Sequence, residues 1–141
     1  VRIDLYKKMT EIGFNFPTII DVTATVSRSA ILEEGTFVGK RVVINSNVYI
    51  GKNCIVNTGA VIEHDCRIED FVHIAPGAIL SGGVHISENT HIGTNSTIIQ
   101  NISIGSNTMI GAGSVVVKDI QQNTKAFGNP CREVKPCQGF L

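Results

Sequence analysis

The chain has no tryptophan and little leucine, and its charges cancel, with 12 Lys and Arg against 12 Asp and Glu over 141 residues. A neutral balance with no long basic run removes the electrostatic footprint of a nucleic-acid or anionic-membrane binder. No apolar stretch reaches the length of a spanning helix, and no signal-type n-region and h-region opens the chain. These absences lead to the expectation of a soluble, cytoplasmic protein that binds neither nucleic acid nor membrane. The four cysteines Cys54, Cys66, Cys131 and Cys137 are spaced by 12, 65 and 6, which fits neither a CxxC redox pair nor a zinc ribbon. Free thiols are expected.

What is present is isoleucine, valine and 14 glycines spread along the chain, a mixture that disfavours helices and favours short strands joined by tight turns. The length suits one domain with a real core. Only residues 3–12 carry a helical pattern, with Leu5, Met9 and Ile12 spaced by four and three and Gly13 placed to stop the helix. Phe14, Phe16 and Pro17 follow as an apolar lead-in, placed to plug the open end of what comes next. The first residue is Val1, consistent with a cut-down or processed piece.

From Ile20 onward every sixth residue is aliphatic: Ile20, Val26, Leu32, Val38, Ile44, Ile50 and so on without a break to Val116. Two residues before most of these anchors stands a small or slender one, such as Ala30, Thr36, Cys54, Ala60, Cys66, Ala78 or Ser96. Neither a helix nor a simple strand has a period of six. Three such hexads make one coil of a parallel β-helix, an all-β solenoid whose coils stack. Anchor and small residue point inward, and the residue between them points out. Asn47, Asn53, Asn89, Asn95, Asn101 and Asn107, with Gly35, Gly59, Gly77, Gly83 and Gly113, fall three after an anchor, at the turn position that most needs positive φ. Cys54 and Cys66 fill small inward slots and need no redox role.

Residues 18 apart then lie one above another, about 4.8 Å apart. The column through His64 reads Ser46, His64, Gly82, Gln100, and its neighbour reads Asn47, Asp65, Gly83, Asn101. A histidine between the acids Glu63 and Asp65 thus stands at a corner cleared by small residues, with the Gly82 and Gly83 amides unshielded. Of the three outward columns, Val43, Val61, Ile79, Thr97, Val115 and Phe37, Ile55, His73, His91, Met109 are largely apolar, while Ile31, Tyr49, Arg67, His85, Ser103 is more polar. Exposed apolar columns imply burial against a partner, by default another copy. A homotrimer with the corner Gly39, Asn57, Ala75, Gly93, Gly111 near its three-fold axis would bring His64 of one subunit towards His73, and with it His91, of the next. A solvated turn histidine remains the alternative for His64, and an interface histidine without a catalytic part for His73.

The repeat over residues 20–130, followed by Val117-Lys118-Asp119-Ile120 and Phe127-Gly128-Asn129-Pro130-Cys131-Arg132, resembles the hexapeptide-repeat acyltransferases. The resemblance implies a left-handed parallel β-helix over 20–130, a helix and lead-in cap over 1–19 and a tail over 131–141. Ile62-Glu63-His64-Asp65-Cys66, His73 nine residues after His64, and Leu80-Ser81-Gly82-Gly83-Val84 resemble the branch of sialic-acid O-acetyltransferases and bacillosamine-pathway UDP-amino-sugar N-acetyltransferases. That branch implies acetyl-CoA as co-substrate, a small-molecule sugar acceptor and direct acetyl transfer. His64 would be the general base, a role suited to an imidazole near neutral pH, with Asp65, or else Glu63, orienting it. The Gly82 amide would polarise the thioester carbonyl, and Asn57 would lie near the acceptor. Lys118 and Arg132 are candidates for the CoA phosphates, with ordinary surface charge as the alternative. The α/β domain that usually precedes such a β-helix is not in this sequence, which fits an excised C-terminal half or a short relative. Two other readings stand beside this one. A zinc enzyme of the γ-carbonic-anhydrase kind needs closely spaced histidine ligands, whereas those here are 9, 12 and 6 apart, so no metal is expected. A non-catalytic trimeric scaffold predicts no acetyl-CoA binding and no effect of His64→Ala.

Overall fold

The computed structural model describes residues 2–136; Cys137, one of the four expected free thiols, lies outside them. The hexads form two-residue strands, because an anchor pointing in and its predecessor pointing out are all that fits between two corners. The strands stack in parallel into three sheets, which with two further C-terminal strands on one of them have eight, six and five strands, and each coil of the repeat pairs with the next at an offset of eighteen residues, as in Val61↔Ile79 and Tyr49↔Arg67. We name the three sides by their outward residues: the His73 face, the Val61 face and the Tyr49 face.

The anchors from Val38 to Val116 are 0–1% exposed and form one continuous core. Burying each aliphatic side chain contributes roughly 1.5–3 kcal/mol, and no coil can do this without its neighbours. Polar residues in the small slots are satisfied by corner carbonyls: Thr36 Oγ1 donates to Gly51 O at 2.8 Å and Thr90 Oγ1 to Gly105 O at 2.9 Å. Cys54 and Cys66 do the same with their thiols, to Glu69 O at 3.0 Å and Ser81 O at 3.2 Å. Burial pushes these thiols up to about 12 and about 11 respectively, and both are free and buried, as is Cys131. They act as slender core residues.

All eleven Asn and Gly corner positions picked out by the repeat have positive φ. Arg41, Asp65 and Phe71 do too, and a bulky residue there needs an outside reason. For Phe71 the reason is the N-terminal helix, Arg2–Glu11. The Tyr6 ring lies between Phe16, at 4.9 Å, and Phe71, at 5.5 Å, while its hydroxyl donates to Glu34 Oε1 at 3.0 Å. Arg2 also donates to the Phe71 carbonyl. Phe71 interrupts an amide ladder, so Asn53 Nδ2 is buried without a partner, whereas Asn89 Nδ2 donates to Asn107 Oδ1 at 2.7 Å.

One expectation is corrected here, that of the lead-in as a plug. The helix exists and ends as expected, Gly13 N–H bonding Thr10 O and Phe14 N–H bonding Met9 O in the paired pattern of a glycine-terminated helix. Its Leu5–Ile12 stripe, however, points away from the β-helix, with Leu5 57% and Ile12 69% exposed. Contact is made instead through Tyr6 and Arg2, because one ring and two polar tips match a corner that already carries Phe71. Nor does the lead-in plug the open end. Phe16 is drawn sideways onto Tyr6, Phe14 stays exposed, and the first anchor, Ile20, keeps 46% of its surface.

At the other end Thr124–Phe127 adds to the His73 face beside Met109, and Arg132–Pro136 returns antiparallel to it across a cis Asn129–Pro130 bond. Among the described residues no helix is long and apolar enough to cross a membrane.

Candidate active site

The corner after the strand Val61–Ile62 holds Glu63, His64 and Asp65. Asp65 has φ 59°, a left-handed conformation that a short polar side chain tolerates. His64 Nδ1–H donates to Asp65 Oδ2 at 2.8 Å, which fixes the proton on Nδ1 and leaves the outer nitrogen, Nε2, with a free lone pair. Asn47 Nδ2 donates to the other carboxylate oxygen, Asp65 Oδ1, at 3.2 Å. His64 and then Asn47 hold the Asp65 carboxyl below the usual carboxylate range. Glu63 is not part of the pair. Asn45 Nδ2 donates to Glu63 Oε2 at 2.8 Å, so of the two acids flanking His64 only Asp65 orients the ring.

Gly82, one coil above, is glycine for space. Its φ is ordinary, but a Cβ there would lie 2.6 Å from His64 Cε1 and 2.8 Å from Nε2. The imidazole therefore leans over the Gly82 backbone, and Nε2 faces the same space as that backbone. The two glycine amides differ: Gly83 N–H donates to His64 O at 2.9 Å, so the expectation that both are unshielded holds for Gly82 alone, whose N–H has no acceptor among the described residues. Gly83 has φ 69°, and a side chain there would strike Asn101 Oδ1. Lys118 lies beyond the regular repeat: Val116 still pairs with Ile98, but Ile120 bridges Ile104, sixteen residues away instead of eighteen, so the corner that holds Lys118 is contracted.

A second cluster lies on the His73 face. Asn57 Oδ1 accepts from Thr58 N–H at 2.8 Å, which turns Asn57 Nδ2 towards His73 Nε2 at 3.4 Å. The His73 and His91 rings meet edge to face at 4.8 Å. Burial, then the neighbouring His91, then Arg2 lower His73 to about 4, and burial lowers His91. His73 is thus a neutral hydrogen-bonding group at physiological pH. A cavity of about 230 Å³ beside it is lined by Arg2, Ile3, His73 and Asn89. The sequence gives no signal for Arg2, whose proximity depends on how the helix docks.

Within one chain the two clusters sit on different faces, and no hydrogen bond or ring contact joins His64 to His73 among the described residues. Arg132 is exposed and donates to Cys131 O at 3.0 Å. Among the described residues no three His, Cys, Asp or Glu side chains gather to hold a metal ion.

A parallel β-helix built from hexads defines a class of repeat protein, and comparison places the chain within it. The chain belongs to the bacterial transferase hexapeptide (six repeats) family, whose pattern matches residues 29–64 and 83–118. Similar solved structures include a histidine-to-asparagine mutant of perosamine N-acetyltransferase from Caulobacter crescentus in complex with CoA and GDP-perosamine. It is 37% identical, with a TM-score of 0.92, over 95% of this chain and 64% of that one. The acetyltransferase domain of PglB from Neisseria gonorrhoeae in complex with acetyl coenzyme A is 37% identical, with a TM-score of 0.91, over 94% and 65% of the two chains. WeeI from Acinetobacter baumannii is 28% identical, with a TM-score of 0.91, over 94% and 65%. The chain thus spans just under two thirds of the length of these proteins. No curated protein sequence matches it.

Proposed function

We propose that residues 20–130 form the catalytic unit of an acetyl-CoA-dependent acetyltransferase that acts on the amino group of a sugar, with a nucleotide-linked amino sugar as the acceptor class. The observation that carries this reading is the His64–Asp65 pair, whose free Nε2 faces the space above Gly82. The complexes of similar structures with CoA, acetyl coenzyme A and GDP-perosamine support it.

In this reading acetyl-CoA supplies an activated acetyl group. His64 Nε2 takes the proton from the acceptor amine as the amine attacks, and Asp65 stabilises the imidazolium through Nδ1. The Gly82 N–H donates to the carbonyl oxygen where negative charge develops, and as the tetrahedral adduct collapses the C–S bond breaks and CoA leaves as the thiol, taking the proton held by His64. Lys118, in the contracted corner after Val116, meets a phosphate of CoA, and Arg132 a second. Asn57 and the neutral His73 hold the acceptor by hydrogen bonds from a neighbouring subunit, with His91 behind His73. That requires a homotrimer, for which the exposed apolar side chains of both faces, Phe37 and Ile79 among them, supply the packing surface. An enzyme drawing on acetyl-CoA belongs in the cytoplasm.

The test is thiol release from acetyl-CoA, measured against a panel of amino sugars, nucleotide-linked amino sugars and sialic acids, beside His64→Ala. Acceptor-dependent release that His64→Ala abolishes is expected. No release above hydrolysis with any acceptor would leave the non-catalytic scaffold as the reading.

A further inference from the structure

The site just described has two carboxylates within one residue of its histidine and uses only one. The sorting is done by the coil below. Asn45 lies beneath Glu63 and takes its Oε2 at 2.8 Å, while Asn47 lies beneath Asp65 and takes its Oδ1 at 3.2 Å. Nothing comparable acts from above, because the residue over Asp65 is Gly83, which has no side chain. Asn47 and Asp65 share a left-handed backbone, with φ 57° and 59°, so their side chains leave the corner in parallel and one coil apart. Asn47 is itself anchored, its backbone N–H donating to Ser29 Oγ at 3.0 Å. The amide orientation is not free either, since an ionised carboxylate can only accept.

We propose that Asn47 is a positioning residue for His64: by holding Asp65 Oδ1 it turns Oδ2 onto Nδ1 and so keeps the lone pair on Nε2, over Gly82. Asn47 touches neither the acetyl donor nor the acceptor. Its role rests on the acetyltransferase reading only for its catalytic consequence, since the effect on the imidazole exists in the protein alone.

Asn47→Gly removes the amide and keeps the left-handed turn, whereas Asn47→Asp keeps the shape and sets a carboxylate against Asp65. Both residues suit positive φ, so the coil is preserved. The first readout is the imidazole nitrogen spectrum of the full chain by long-range proton–nitrogen NMR, with the His64 signals identified by their loss in His64→Ala. Wild type is expected to show the Nδ1–H form alone, and both variants a mixture with the Nε2–H form. The second readout is acetyl transfer: kcat falls about 10-fold, the scale of one lost hydrogen bond to a charged group, while KM for acetyl-CoA stays within about 2-fold. A pure Nδ1–H form in Asn47→Gly, or a kcat equal to wild type, overturns the proposal. Should wild type transfer no acetyl group, the acetyltransferase reading fails by itself and the imidazole spectrum still decides what Asn47 does.

Discussion

The molecule carries a second histidine–carboxylate pair, and setting it beside the first shows what makes a corner chemically useful. On the Tyr49 face His85 Nε2 donates to Glu69 Oε1 at 2.9 Å, close to the 2.8 Å between His64 and Asp65. There the outer nitrogen is consumed and the nitrogen nearer the backbone is left. Glu69 Oε2 also accepts the Glu88 N–H at 3.2 Å. The column below His85 is filled, Arg67 lying 4.6 Å over the Tyr49 ring, and the adjacent cavity of about 250 Å³ is lined by Tyr49, Arg67, Glu69, Asp70 and Glu88. At His64 the carboxylate takes the inner nitrogen, and a glycine clears the space in front of the outer one. A histidine beside an acid is therefore not a base until geometry frees the right nitrogen and empties its surroundings.

The largest predicted effect tests that contrast directly. His64→Ala lowers kcat by roughly 10²- to 10⁴-fold, the usual contribution of general base catalysis, whereas His85→Ala leaves it within about 2-fold. Steady-state thiol release on the two purified variants measures both, and equal losses would erase the distinction between the corners.

Gly82→Ala comes next. The added Cβ meets the His64 ring at 2.6 Å but no strained backbone, so the imidazole is pushed aside while the coil stays folded. A loss of roughly 10- to 100-fold in kcat is expected, as for small misplacements of catalytic groups, with a melting temperature near wild type. Gly83→Ala inverts the pattern. At φ 69° a side chain is strained by roughly 1–2 kcal/mol, so the melting temperature falls by about 4 °C or more. If Gly82→Ala lowers stability and spares kcat, the glycine is there for the fold and not for the ring.

The faces on which the two pairs border can be separated in the same way. Ile79, 40% exposed on the Val61 face, is a packing residue of the proposed trimer, so Ile79→Asp reduces the mass by light scattering to that of one chain and takes activity with it. Arg67→Asp, on the His85 side, leaves the mass unchanged. A wild-type chain that is already monomeric would remove His73 from the His64 site.

Much of this was legible in the sequence because the repeat acts as a ruler. The anchors, the small slots, the three outward columns and the facing of His64 by Gly82 all follow from counting in sixes and eighteens, and each is found where the count puts it. The count says nothing about rotamers. It places Asn45 and Asn47 beneath Glu63 and Asp65, but an Asn at a left-handed corner reads as turn chemistry, and only the side-chain directions show which acid each amide holds. It does not reach the helix, where Leu5 and Ile12 face solvent because Tyr6 found a better partner in Phe71, a residue that itself breaks the corner rule. Arg2 reaches His73 only through that docking.

The smallest effect concerns His73, whose environment differs from both pairs in having no carboxylate partner. Burial, His91 and Arg2 lower its folded pKa to about 4, while in the unfolded chain the imidazole titrates near 6.5. Between these values the unfolded state binds the extra proton. The contribution of His73 to stability is therefore fully present above about pH 6.5, shrinks as pH falls towards about 4, and stops shrinking once the native imidazole is itself protonated. His91, lowered by the same burial, adds to the slope. His73→Gln should flatten the dependence of melting temperature on pH between about 6.5 and 4 without removing it, the part due to His91 remaining. Arg2→Gln, which keeps the ring but removes a cation, should narrow the window from its acid end, since the folded His73 then protonates sooner. Melting curves that run parallel to wild type across that range in both variants would mean that the ring is solvated, and that the helix does not hold it against the β-helix as described.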